Sequence, residues 1–444
     1  MRTTVMITTW ALLAVVLVTM AEAQRTATAP DRGAAVPTAL QDYVHAKDSS
    51  FGYEINNSQN IGGCEVLDIQ LTSQTWQGIV WRHAVQAFVP SDSYPDTVLL
   101  FITGGRNGGK PGRDDVEMGV RLAQASRMAC VILHQVPNQP LLGDHVEDDL
   151  ITETFLKYLE TKDPSWPLLF PMVKSAVKAM DMSQAIARDR YNTTVDKFVV
   201  TGGSKRGWTT WLSAVADPRV AGIAPIVIDT LNFRPQMEHQ LESWGEYSEQ
   251  IADYTQKGLV DVMLKQPEVP LWRWVDPYTY RDQLLLPKLV INGANDRYWV
   301  TDALNLYWND LQGPKHVLYV PNAGHGLDDG KEQALTTLAV FAQHVALGKD
   351  LPVLDWHYDV ADDAWALSVA AEPAPKSARM WVAKSDDRDF RDSRWVATEG
   401  EANGGGKFVL KVPGNGMGHQ AVFGEVTFGF GPLKYNLCTT VHCD

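Results

Sequence analysis

Continuous apolar runs alternating with helix-patterned segments predict an α/β fold: a mostly parallel sheet with helices on both faces, an insertion over one end, and a small C-terminal β-sandwich-like domain. Three observations carry this. Most of the strand-like runs Gly78 to Val89, Thr97 to Thr103, Ala129 to His134, Lys197 to Thr201, Ala224 to Ile228, Lys288 to Ile291 and His316 to Val320 are continuously apolar, as strands buried on both faces are. Segments of helical length lie among them: Asp114 to Ser126, Asp148 to Leu159, Met172 to Arg188, Thr209 to Val215, Thr301 to Leu311 and Lys331 to Leu347. Beyond about Leu351 the texture becomes WALSVA, ARMWVA, KFVLKV and EVTFGF, short runs parted by Gly, Pro and Asp clusters, with a hairpin tip expected at Gly404 to Gly406.

In order, Arg2, the apolar run Trp10 to Met20 and the small-x-small site Ala21-Glu22-Ala23 predict a signal peptide over 1–23 and a secreted or periplasmic location. That run is too short for a comfortable membrane span. Residues 24–48 read as a flexible polar segment, 49–349 as the main α/β domain and 350–444 as the β-sandwich-like domain. At about 231–286 the alternation lapses; Trp244, Trp272 and Trp274 there pack either a cap's own core or the site beneath it.

The stretch Lys197 to Trp208, KFVVTGGSKRGW, breaks a β-branched run on two glycines and delivers Ser204 into a helix, which is how a nucleophile elbow reads. Its departure from G-x-S-x-G is Arg206, with Gly207 one place later. A serine needs a general base, and the base an acceptor that sets its tautomer. Asp296 follows the strand KLVING and His325 follows HVLYV, so all three lie beyond the carboxyl ends of strands. The order Ser, Asp, His is that of α/β-hydrolases. Asp302 is the reserve acid, and His134 and His145 are placed to line the same face. For the oxyanion, the backbone N–H of Lys205 is the first donor expected, with a second from the loop Gly104, Gly105 and Arg106. Gly104 to Lys110 imitates a P-loop, but Pro111 stands where the Mg²⁺-binding hydroxyl belongs.

The chain has 444 residues and a formal charge of -14, which argues against nucleic acid, would repel anionic membranes and would attract cationic peptides. Four cysteines in an oxidising compartment allow two disulfides, with Cys438–Cys443 and Cys64–Cys130 the expected pairs. C-x-x-C and H-E-x-x-H spacings are absent, and no cofactor is expected. Asn56 and Asn192 head N-x-S/T sequons.

The run EDDLITETFLKYLETKDPSWPLLFPMVKSAVKAMD from Glu147, with VVTGGSKRGWTTWLSAVADPRVAGIAPIVIDTLN from Val199, resembles the PhoPQ-activated pathogenicity-related protein family, from roughly Tyr43 to Asp444. The resemblance implies an α/β-hydrolase whose nucleophile, acid and base fall on Ser204, Asp296 and His325. A proliferation-repressing secreted protein is similar to the family too, which implies a non-enzymatic signalling role as the alternative. The elbow also resembles that of glucuronoyl esterases, where a basic residue after the serine is implicated in oxyanion stabilisation; Lys205 is the matching position, and a large residue at Arg206 fits that elbow. The reading is a secreted serine hydrolase that cleaves an ester or peptide bond through an acyl-enzyme.

Overall fold

The computed structural model describes residues 35–361, 364–402, 406–414 and 418–444. The expected signal peptide, the expected flexible segment up to residue 34, and Gly404 and Gly405 of the expected hairpin tip lie outside the described residues. Within the segment read as loose, Ala39–His45 forms a helix, α1, with Leu40 and Val44 buried. A one-turn apolar pair is too short a pattern to stand out in sequence.

The strands β1 (Gly52–Ile61), β2 (Cys64–Trp76) and β3 (Ile79–Pro90) form an antiparallel meander, the first two missed in sequence because polar residues fill their exposed face. Next come β4 (Thr97–Ile102), β5 (Ala129–Leu133), β6 (Lys197–Gly203), β7 (Val220–Ile226), β8 (Lys288–Gly293) and β9 (Lys315–Val320). These six pair in parallel in the order β5-β4-β6-β7-β8-β9, with β3 joined antiparallel to β5. Their side chains are buried almost throughout, which is why both faces read as apolar.

The helices α2 (Arg113–Ser126), α3 (Glu147–Thr161), α4 (Leu169–Tyr191) and α5 (Lys205–Ala216) fall where sequence periodicity puts them. The insertion folds as α6 (Phe233–Trp244), α7 (Ala252–Thr255), α8 (Leu259–Lys265) and α9 (Pro270–Val275), and Lys331–Ala346 forms α10. Packing of α2 against α10, and of α1 and α5 against α4, covers the two faces of the sheet. The helix expected over Thr301 to Leu311 is instead a pair of short 3₁₀ turns, Ala303–Leu306 and Trp308–Asp310. Asn, Asp and aromatic residues are weak helix formers, and here Asp302, Asn305 and Tyr307 each bond a different part of the molecule.

The C-terminal strands are β10 (Val353–Val360), β11 (Ala364–Glu372), β12 (Ser377–Ser385), β13 (Val396–Glu399), β14 (Glu401–Ala402), β15 (Lys407–Pro413), β16 (His419–Phe430), β17 (Leu433–Cys438) and β18 (His442–Cys443). They divide between two antiparallel sheets. One, β10-β11-β15-β14, is separate; the other continues the main sheet, because β17 bonds β9 at Cys438↔Val317. The two sheets pack closely where Leu367 of β11 covers Gly424 of β16, and a Cβ at Gly424 would stand 2.5 Å from the leucine.

All four cysteines are free thiols, contrary to the disulfides expected. Cys438 and Cys443 lie opposite Glu425 and Ala421 along β16. At a strand rise near 3.4 Å per residue that places them roughly 14 Å apart, beyond the reach of a disulfide. Among the described residues no helix is long and apolar enough to cross a membrane.

Candidate active site

The elbow explains itself through its glycines. Ser204 sits between β6 and α5 at φ 57° and ψ -126°, a strained conformation for a non-glycine residue, held by its N–H bond to the Ile226 carbonyl at 2.8 Å. A side chain at Gly202 would come within 2.8 Å of the Ile102 carbonyl oxygen, and one at Gly207 within 2.9 Å of the Gly202 carbonyl oxygen. The two glycines that permit the crossing of β6 and α5 are therefore 202 and 207. The Arg206 Cβ packs over Gly202, where an added Cβ would stand 2.8 Å from it, so glycine at 202 is what leaves room for an arginine at 206.

His325, in the loop after β9, bonds through Nδ1 to Asp296 Oδ2 at 2.8 Å. Asp296 lies in the turn after β8, buried, with its other oxygen accepting the Tyr298 N–H at 2.9 Å. The Tyr298 ring lies over the His325 imidazole, centroids 4.3 Å apart. His325 Nε2 is buried without a hydrogen-bond partner, and His325 and Ser204 line one cavity. The structure thus brings together the three residues singled out in sequence.

Lys205 and Arg206 are tied to the start of α3. The Lys205 ammonium pairs with Asp148 at 2.9 Å and Glu147 at 3.2 Å. The Arg206 guanidinium grips Glu147 with two bonds of 2.8 Å and donates to the Val136 carbonyl. Burial would push the Glu147 carboxyl up, but Arg206 and then Lys205 outweigh it and hold it at about 2. Asp148 also accepts the Tyr254 hydroxyl at 2.8 Å and the Tyr298 hydroxyl at 3.3 Å. Burial first, and Asp148 after it, hold both phenols above their usual range. This acidic hub was missed in sequence; its signal was the Glu147-Asp148-Asp149 run, which reads equally as ordinary helix N-terminal charge.

The cavity beside Ser204 measures about 100 Å³. The main fold supplies Phe155 and Trp208, and the insertion supplies Met237, Val260, Met263 and Trp272, so the insertion does cap the site. The three expected tryptophans part company: Trp272 lines the cavity, Trp274 packs on Tyr158 and Phe170, and Trp244 stacks beneath Arg391. Lys205, heading α5 where no earlier turn supplies a carbonyl for its N–H, lines the cavity too. Gly105 and Arg106 are exposed and do not line it; Gly104 borders an adjoining cavity with Gly203 and His325. The Arg206 guanidinium fills the space over Gly104, where a Cβ would stand 2.5 Å from it.

Asp302, the reserve acid, bonds His239 Nε2 of α6 at 2.6 Å. His134 is buried, and its carbonyl accepts the His83 ring. His145 pairs with Asp149 at 2.5 Å, and with Glu153 these form the one group among the described residues with its ligand atoms close enough to hold a metal. The Lys257 ammonium already bonds both carboxylates. Asp229, in the loop after β7, is buried; burial raises its carboxyl to about 7 against the bonds from Tyr307 and Asn292.

A model of the PhoPQ-activated pathogenicity-related proteins matches residues 40–391. The chain belongs to the PhoPQ-activated pathogenicity-related protein family. This family member is 32% identical over 380 residues to autocrine proliferation repressor protein A of Dictyostelium discoideum, covering 81% of the chain and 76% of the relative. In structure it is similar to an acetyl xylan esterase from Paenibacillus sp. R4, with TM-score 0.51 and 14% identity over 68% of this chain and 91% of that one. Acetyl xylan esterase 1 from Thermoanaerobacterium sp. aligns with TM-score 0.47 and 16% identity over 68% and 91%. The fold is that of the α/β-hydrolases.

Proposed function

We propose that this protein is an exported serine hydrolase of ester or peptide bonds, with Ser204 as nucleophile, His325 as base and then acid, and Asp296 orienting the imidazole. The observation that carries the reading is the unpartnered His325 Nε2 in the cavity it shares with Ser204, while Nδ1 is held by Asp296. That arrangement leaves Nε2 unprotonated and able to accept a proton. Ser204 Oγ attacks the acyl carbon as its proton passes to Nε2. The bond to the leaving group breaks, and that group departs with the proton. Water then repeats the sequence and releases the acid.

The Lys205 N–H supplies an oxyanion donor. Its ammonium, committed to Asp148 and Glu147, serves chiefly to hold the elbow against α3. Export rests on the leader read in residues 1–23. The alternative, a secreted signalling protein on a hydrolase scaffold, is favoured by the name of the Dictyostelium relative. Labelling with a fluorophosphonate probe separates the two: the wild type is expected to label at Ser204 and Ser204→Ala to lose it. A folded wild type that does not label supports the alternative.

A further inference from the structure

The wall of the cavity beside Ser204 is carbon on both sides, Phe155 and Trp208 facing Met237, Val260, Met263 and Trp272. Its two charges, Lys205 and Asp148, cancel each other at 2.9 Å, and Asp148 takes two tyrosine hydroxyls besides. Trp208 Nε1 donates to the Val275 carbonyl at 2.5 Å and Trp272 Nε1 to the Gln266 carbonyl at 3.0 Å. A charged substituent placed there would lose its water and meet no free counter-charge.

Trp208 is one turn beyond Ser204, its N–H bonded to the Ser204 carbonyl at 3.0 Å, and Lys205 lies between them. Ser204, Lys205 and Trp208 all line the cavity, so an acyl group on Ser204 Oγ with its oxygen at the Lys205 N–H has the cavity's carbon wall beside it. Size sets the limit. The volume of about 100 Å³ is below the roughly 150 Å³ of a dry cavity that holds benzene.

We infer that this cavity is an acyl-binding site and that the preferred substrates are neutral esters of short apolar acids, about four to six carbons long. The inference rests on the serine-hydrolase reading. Each methylene seated in the cavity is worth about a fourfold gain in kcat/KM until the space is full.

The test uses the mature protein, p-nitrophenyl esters from acetate to dodecanoate, and a fluorophosphonate probe run in parallel. The expected kcat/KM rises from acetate to an optimum between butanoate and hexanoate and falls at least about tenfold by decanoate. Val260→Phe shortens the optimum and Met263→Ala lengthens it; circular dichroism checks both folds, and Met263→Ala carries the test if the larger side chain does not fold. Labelled Ser204 with a flat profile, a rise continuing to dodecanoate, or an optimum that a folded variant leaves unmoved overturns the acyl site while the hydrolase reading stands. A folded wild type that neither labels nor turns over overturns both.

Discussion

Two aspartate–histidine pairs leave the same segment after β8 and end in different chemistry. Asp296 holds His325 at 2.8 Å and Asp302 holds His239 at 2.6 Å, both in largely buried surroundings. His325 offers its acid Nδ1, which leaves Nε2 in the cavity that contains Ser204. His239 gives its Nε2 to Asp302 and joins the cap to the main fold. An aspartate–histidine bond is thus a structural joint in one place and, on the proposed reading, half of a proton relay in the other. What sets the first pair apart is that its histidine lines the cavity that Ser204 also lines.

Paired substitutions break this comparison most sharply. His325→Ala is expected to lower turnover by about three orders of magnitude or more, and Asp296→Asn by up to about 10⁴-fold through the wrong tautomer. His239→Ala and Asp302→Asn are expected to stay within about tenfold and to show their effect in thermal stability instead. Steady-state kinetics on any ester the protein proves to hydrolyse decides; an Asp302→Asn loss larger than that of Asp296→Asn would exchange the proposed roles of the two acids.

The next effect concerns the elbow's tether. Lys205→Met leaves Asp148 without its cation, so a stability loss of about 3–5 kcal/mol is expected, the usual cost of breaking a buried pair. Because the backbone N–H survives, kcat should change less than about tenfold. Urea unfolding beside kinetics measures both. A roughly hundredfold fall in kcat at unchanged stability would return the ammonium to the oxyanion.

The smallest effect is a pH dependence. Glu147 is held at about 2 against an ordinary 4.5, so its contribution to stability is complete above pH 4.5 and is lost as pH falls toward 2. The carboxylate is partly solvated, and screening leaves it about 1 kcal/mol. Glu147→Gln should therefore lower stability near neutrality by that amount and flatten the acid limb over this window. Denaturant melts from pH 2 to 7 test it, and an unchanged acid limb would mean that Arg206 contributes packing alone.

Much of the site was legible because its residues sit at fold landmarks. Ser204, Asp296 and His325 each follow a strand whose apolar run is plain, and the Ser, Asp, His order belongs to this topology. The Arg206 departure from the usual elbow is accommodated because the close backbone approaches fall on Gly202 and Gly207. Tyr298 and the Glu147–Asp148 hub were not legible, since a tyrosine two places from an acid and a helix-leading acidic run have common bland causes. Nothing local in them points to Lys205, whose partners lie far away in the chain.

The same division holds for the fold. Period and composition sufficed for the parallel strands β4 to β9 and most of their helices, because hydrophobic burial acts on each segment separately and leaves its pattern there. Pairing across long separations leaves no such mark. That β17 would extend the main sheet at β9, that Cys438 and Cys443 would lie too far apart to bond, and that insertion residues would turn their apolar side chains onto Ser204 all depended on long-range contacts. Each is chosen by the packing of whole surfaces, a property of pairs of segments that neither segment carries alone.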